Sequence, residues 1–235
     1  MSKIWFFGDS YIATYNVAKS WAINVQEEFI DYDSENLGVP GSSLDYLYYI
    51  YNKRRTEIKE GDIVILTLTT YHRLFLKHEK PEKNSFLFPE FIHTQGEGLE
   101  WINEDHEYYG HFVSDLFNLP VQEALKNVFL NSLQYDAITK GIKIIVLPVD
   151  KYEISEKDSI TIVNNTRHSL MNVSEKQHQA KFGISHGWFA KEECRTYDKS
   201  LANHLTPRNN EILANKVIRN IKTDEPIDLA TEWEF

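Results

Sequence analysis

Cysteine is almost missing from this chain: Cys194 is the single one among 235 residues. No internal disulfide can form, and nothing points to an oxidising compartment. Basic residues are in deficit too, with 25 Lys and Arg against 35 Asp and Glu for a net charge of −10. With no basic cluster or stripe, that balance argues against nucleic acid as a partner. No apolar stretch approaches the roughly 20 residues that cross a bilayer. Ser10 breaks the N-terminal apolar run too early for a secretory leader. These absences predict a cytoplasmic protein with no membrane partner, while release by lysis or association with a virion stays open. Linkers, internal repeats and low-complexity tracts are missing as well, so residues 1–235 read as a single domain.

What is present is an apolar content of 42%, ordinary for a globular chain and enough for a sizeable core. Three short apolar runs, Ile4–Phe7, Ile63–Leu68 and Ile142–Val149, barely alternate with polar residues. That is the pattern of parallel strands covered on both faces. Amphipathic stretches lie between and after them. Ala18–Phe29 carries Trp21, Val25 and Phe29 at steps of four, and Leu44–Tyr51 continues a second helical pattern. Val121–Thr139 is a third, with Pro120 at its start and Ala124, Val128, Leu133 and Ile138 on the expected core face. The last follows Thr206-Pro207 through Ile212, Leu213, Val217 and Ile221, with Thr206 as its N-cap. Strands alternating with helices predict right-handed βαβ crossovers and an α/β fold, a three-layer α/β/α sandwich with a mainly parallel sheet. Two aperiodic regions, around 77–107 and 151–200, read as long loop insertions of the lid or binding type. Most of the 13 Tyr, 13 Phe and 5 Trp serve the core, and Phe86, Phe88, Phe91 and Trp101 are candidates for a sugar-binding groove.

The first apolar run ends in Gly8-Asp9-Ser10, where α/β sheets bind their ligands. These are common turn residues, so Ser10 alone is as readily a serine capping the first helix. A serine attacks only when a neighbouring base takes its proton. Among nine histidines, His204 stands just before the last helix in Asn203-His204-Leu205-Thr206-Pro207. A doubly wound fold can return that loop to the end of the first strand. Asp105, His106 and His111 form another cluster, but their spacing fits neither a helical pair nor a zinc motif, and they read as surface residues.

Three blocks occur in order: Gly8-Asp9-Ser10, then Asn36-Leu37-Gly38-Val39-Pro40-Gly41-Ser42-Ser43, then His204-Leu205-Thr206-Pro207. In content and spacing they resemble the SGNH, or GDSL, hydrolase family over nearly the whole chain. The resemblance implies a flavodoxin-like sandwich and an esterase, lipase, thioesterase or carbohydrate O-deacetylase activity. It makes Ser10 the nucleophile and His204 the general base, with the N–H groups of Ser10 and Gly41 as oxyanion hole. Glycine suits position 41 because the backbone there approaches the substrate oxygen with no Cβ in the way. The Gly-x-Ser-x-Gly elbow of the α/β-hydrolases is absent around Ser10.

Two blocks depart from the family. In place of Gly-x-Asn-Asp after the second core strand stands Thr69-Thr70-Tyr71-His72-Arg73, with Tyr71 at the asparagine position. This resembles a Thr-x-x-x-Arg variant of divergent, bacteriophage-type members, and it makes Thr69 or Arg73 the replacement oxyanion donor. Arg73 equally suits an anionic substrate group, and Asp9 and Tyr71 join it as candidate substrate contacts. The family's Asp-x-x-His pattern finds Leu201 where the acid belongs. Asp198 is the nearest carboxylate upstream and the candidate third member, with a backbone carbonyl and a Ser-His dyad as the other option. Losing the acid slows a triad protease about 10⁴-fold without abolishing catalysis. The expectation is a serine esterase hydrolysing a small acyl ester, such as an O-acetyl group on a carbohydrate, with no metal or organic cofactor. The alternatives are acyl transfer from the same site and a non-catalytic, virion-associated descendant that binds carbohydrate or protein.

Overall fold

Lys3–Phe7 forms β1, and every later strand of the main sheet is arranged around it. The structure, a computed structural model, describes residues 2–13, 20–39, 42–69, 73–75, 91–93, 119–150, 159–163, 169–182 and 205–235. After β1 come α1 (Trp21–Glu28), β2 (Asp33–Asn36), α2 (Leu44–Arg54) and β3 (Ile63–Leu68). A short antiparallel pair comes next, β4 (Arg73–Phe75) and β5 (Phe91–His93). The chain continues through α3 (Leu119–Lys140), β6 (Lys143–Pro148), β7 (Thr161–Ile162), α4 (Leu170–Phe182) and α5 (Pro207–Thr223).

The main sheet is parallel throughout, in the order β2-β1-β3-β6-β7. Counting only its own five strands, that is 2-1-3-4-5, the flavodoxin-like order of doubly wound sheets. Side chains of a strand point alternately to the two faces, and both faces are apolar here. Ile4, Phe6, Ile63, Ile65, Ile145 and Leu147 pack on one side with Trp21 and Val25 of α1, Leu170 and Val173 of α4, and Leu213 and Val217 of α5. Trp5, Phe7, Val64, Leu66, Ile144 and Val146 pack on the other with Leu44, Leu47 and Tyr51 of α2 and Phe129, Leu130 and Leu133 of α3. The three-layer α/β sandwich with a mainly parallel sheet is therefore the observed architecture. Among the described residues, no helix is long and apolar enough to cross a membrane.

Helix starts follow their local chemistry. Ser20 caps α1 by accepting from the Ile23 N–H, Ser43 caps α2 through the Tyr46 N–H, and Thr206 caps α5 through the Asn209 N–H with Pro207 in the first turn. On the outer face, α2 and α3 are clamped by Asp136, which is 1% exposed. Its carboxylate accepts from Arg55 Nε at 2.6 Å, Arg55 Nη2 at 2.8 Å and the Tyr51 hydroxyl at 2.8 Å. Burial opposes the charged form, but the bonds from Arg55 and Tyr51 and the nearby Lys140 charge outweigh it and hold the Asp136 carboxyl below the usual carboxylate range. Burial and the bond to Asp136 push the Tyr51 phenol well up.

One expectation is corrected. In α3 the buried face is Phe129, Leu130, Leu133 and Ala137, whereas Val128 and Ile138 are more than half exposed. Residues 124, 128, 133 and 138 are too widely stepped to stay on one face of a 3.6-residue helix. β7 and α4 fall within the region 151–200 and β5 within the region 77–107, while most of both regions lies outside the described residues. Phe91 belongs to β5, while Phe86, Phe88 and Trp101 lie outside the described residues.

Candidate active site

In a doubly wound sheet the crevice for ligands opens where the strand order reverses, beyond the carboxyl ends of the strands. Here that point lies between β1 and β3, and Gly8-Asp9-Ser10 leaves β1 directly into it. Gly8 is obligatory for steric reasons. A Cβ on it would lie 1.8 Å from Thr67 Oγ1 on the neighbouring strand, and its φ is +154°.

Asp9 is fully buried and organises the turn around it. Its carboxylate accepts from Thr67 Oγ1 at 3.3 Å, Thr69 Oγ1 at 3.2 Å and the Tyr11 N–H at 3.1 Å, and its own N–H donates to Thr67 Oγ1 at 3.2 Å. Its carbonyl accepts from Ile12 and Ala13, which closes a tight turn with Ser10 at the crest. Ser10 itself is half-buried. Among the described residues, neither its hydroxyl nor its N–H has a hydrogen-bond partner. The turn is held rigid by its neighbours, and the serine is left uncommitted.

The second block lies against the same turn. Gly8 carbonyl accepts from the Val39 N–H at 2.9 Å and from Ser42 Oγ at 3.0 Å. The Ser42 N–H donates back to the Val39 carbonyl at 3.0 Å, across Pro40 and Gly41. Thr69 Oγ1 donates to the Ser42 carbonyl at 2.8 Å, so the end of β3 fixes Ser42 against the Gly8-Asp9-Ser10 turn. Asn36 contributes as well, with Nδ2 donating to Ile12 carbonyl at 2.8 Å and Oδ1 accepting from Gly38 at 2.9 Å.

Of the residues predicted for the site, Asp9, Ser10 and Thr69 meet at this point. The Asp9 side chain, expected to contact substrate, is wholly enclosed and bonded to protein groups. Thr69 is equally enclosed, and its single hydroxyl proton faces the Ser42 carbonyl and the Asp9 carboxylate rather than an open position. Arg73 opens β4, where its backbone pairs with that of His93. Gly41, Tyr71, Asp198 and His204 lie outside the described residues.

The sequence reading missed Thr67, Ser42 and Asn36. The signal was present in Ile63-Val-Ile-Leu-Thr67-Leu-Thr69, where two hydroxyls, spaced to share one face, interrupt a buried strand just before its end. Buried hydroxyls need partners, and the Gly8-Asp9 turn supplies them. Among the described residues, no group of three or more His, Cys, Asp or Glu could hold a metal ion. No family model matches this sequence, and no curated protein does so either.

Proposed function

We propose that this chain is a serine ester hydrolase of the SGNH type, acting on a small acyl ester such as an O-acetyl group on a carbohydrate. One observation carries the reading: a half-buried serine with uncommitted N–H and hydroxyl, at the switch point, on a turn locked by Asp9, Thr67 and Ser42. A serine that merely capped a helix would have its hydroxyl engaged by backbone N–H groups; in α1 that role falls to Ser20.

In the proposed reaction, His204 accepts the Ser10 hydroxyl proton as Oγ bonds to the acyl carbonyl carbon. The tetrahedral oxyanion is met by the N–H groups of Ser10 and Gly41, each such donor being worth about 3 kcal/mol. Collapse breaks the bond to the alcohol oxygen, which leaves with the proton from His204. Water then attacks the acyl-Ser10 ester and gives one proton to His204; collapse breaks the bond to Ser10 Oγ, which takes that proton back as the carboxylic acid leaves. Thr69 acts from behind, fixing Ser42. Asp198 or a backbone carbonyl would orient the imidazole. Leu205, one peptide beyond His204, is buried in the same cluster as Tyr11, one peptide beyond Ser10, which supports the pairing of the two loops. No step calls for a metal or organic cofactor.

A fluorophosphonate probe tests the reading. One adduct on Ser10 is expected by intact mass and peptide mapping, with p-nitrophenyl acetate hydrolysis falling at least about 10³-fold in Ser10→Ala. A folded chain that takes no adduct, or hydrolysis unchanged by Ser10→Ala, overturns it in favour of a non-catalytic binding role.

A further inference from the structure

The proposed nucleophile and base come from opposite ends of the chain, and their spacing has to be held to a fraction of an ångström. Asn210, in the first turns of α5 and 4% exposed, makes bonds in both directions. Its Oδ1 accepts the Trp21 N–H at 3.0 Å. Its Nδ2 donates to the Leu205 carbonyl at 2.9 Å and the Thr206 carbonyl at 3.1 Å. Trp21 extends the bridge, its indole Nε1 donating to the Tyr11 carbonyl at 2.7 Å. Tyr11 directly follows Ser10 and Leu205 directly follows His204. Each proposed catalytic residue is thus one peptide from an end of a single hydrogen-bonded chain.

The bonding capacity of an asparagine explains the choice. The N–H groups in the first turn of a helix have no partner within the helix, and that of Trp21 is buried. The Leu205 carbonyl likewise needs a donor, while the Thr206 carbonyl, already bonded by the Asn210 backbone N–H at 2.8 Å, takes a second bond. A primary amide offers one acceptor and two donors in a fixed plane, so one side chain satisfies both loops and sets the distance between them. Gln177 of α4 reinforces the far side, its Oε1 accepting from the Thr206 N–H at 3.1 Å.

We propose that Asn210 is a positioning residue that sets the separation of the nucleophile turn from the base-bearing loop. This rests on the assignment of Ser10 and His204 as nucleophile and base. Misplacement by about 1 Å can cost 10²-fold in rate, so a defect here reads out in chemistry rather than in binding.

The test compares Asn210→Asp with wild type and with Asn220→Ala. The aspartate keeps an acceptor for Trp21, but its side chain presents no donor to Leu205 and Thr206, leaving only the backbone bond to Thr206. Asn220 is buried near the other end of α5, bonded to the Glu225 carbonyl and remote from both loops. With folding checked by circular dichroism, Asn210→Asp should take the fluorophosphonate at Ser10 about tenfold or more slowly. The kcat for p-nitrophenyl acetate should fall by a similar factor with KM little changed. Hydrogen exchange should quicken in peptides covering both 11–13 and 205–206. Asn220→Ala should lower the thermal midpoint yet label at the wild-type rate. Trp21→Phe breaks the other end of the bridge and should give the same kinetic pattern should Asn210→Asp fold poorly. Wild-type labelling rates in folded Asn210→Asp or Trp21→Phe, or equal slowing in Asn220→Ala, overturn the proposal alone. A wild-type chain that resists the probe overturns the Ser10–His204 assignment and this proposal together.

Discussion

At Gly8 a single hydrogen in place of a methyl group decides whether the site can assemble. The backbone of β1 passes so near Thr67 that a Cβ would sit 1.8 Å from Oγ1 and 3.0 Å from Cβ of that residue. Gly8→Ala should therefore destabilise the fold by about 3 kcal/mol, read as a lower urea midpoint. Adding Thr67→Ala removes the worst contact, so the double variant should lose less than the sum of the singles, as expected of touching residues. The Gly-Asp-Ser motif was legible as a motif. Its physical meaning was not, because both Gly8 and Asp9 answer to threonines nearly sixty positions away. Asp9 looked available for substrate in the sequence, and it is enclosed only because β3 lies beside β1.

Among the elements, α2 and α3 meet at one buried charge. Asp136 holds Arg55 and Tyr51, while the Lys140 ammonium bonds the Arg55 carbonyl. The folded carboxyl titrates below its unfolded value, so the clamp contributes stability fully above that unfolded value, about 3.9. The contribution is lost as pH falls through the lower, folded value. Asp136→Asn should cost about 2 kcal/mol at neutral pH, and the gap from wild type should close in acid, measured by urea unfolding at stepped pH. Several elements were legible from local pattern: the apolar strands β1, β3 and β6, and the Thr206-Pro207 start of α5. Two were not. β2 is Asp33-Ser-Glu-Asn36, with no apolar residue, and it is a strand because the edge of β1 offers it a parallel partner. Among the described residues of α4, the buried ones are Leu170, Val173, Ser174 and Gln177, so polar side chains share its inward face and its helical period is hidden.

For the molecule as a whole, closure depends on the residues after α5. Ile227 and Leu229 are buried in the core cluster that holds α1 and α5, and Asn209 exchanges bonds with the backbone of Glu234. Deleting residues 225–235 exposes that cluster and should lower unfolding free energy by about 4 kcal/mol, measured by chemical denaturation. The sequence by itself determined the fold class, because uninterrupted apolar strands separated by amphipathic helices can bury both faces only as a covered parallel sheet. It also determined which serine stands at the end of the first strand. Tertiary structure alone decided the strand order, the edge strand β2, the inward face of α3, and the enclosure of Asp9 and Thr69. Those depend on partners distant in the chain, and hydrogen bonding between buried groups is settled by which surfaces meet, not by what lies next along the backbone.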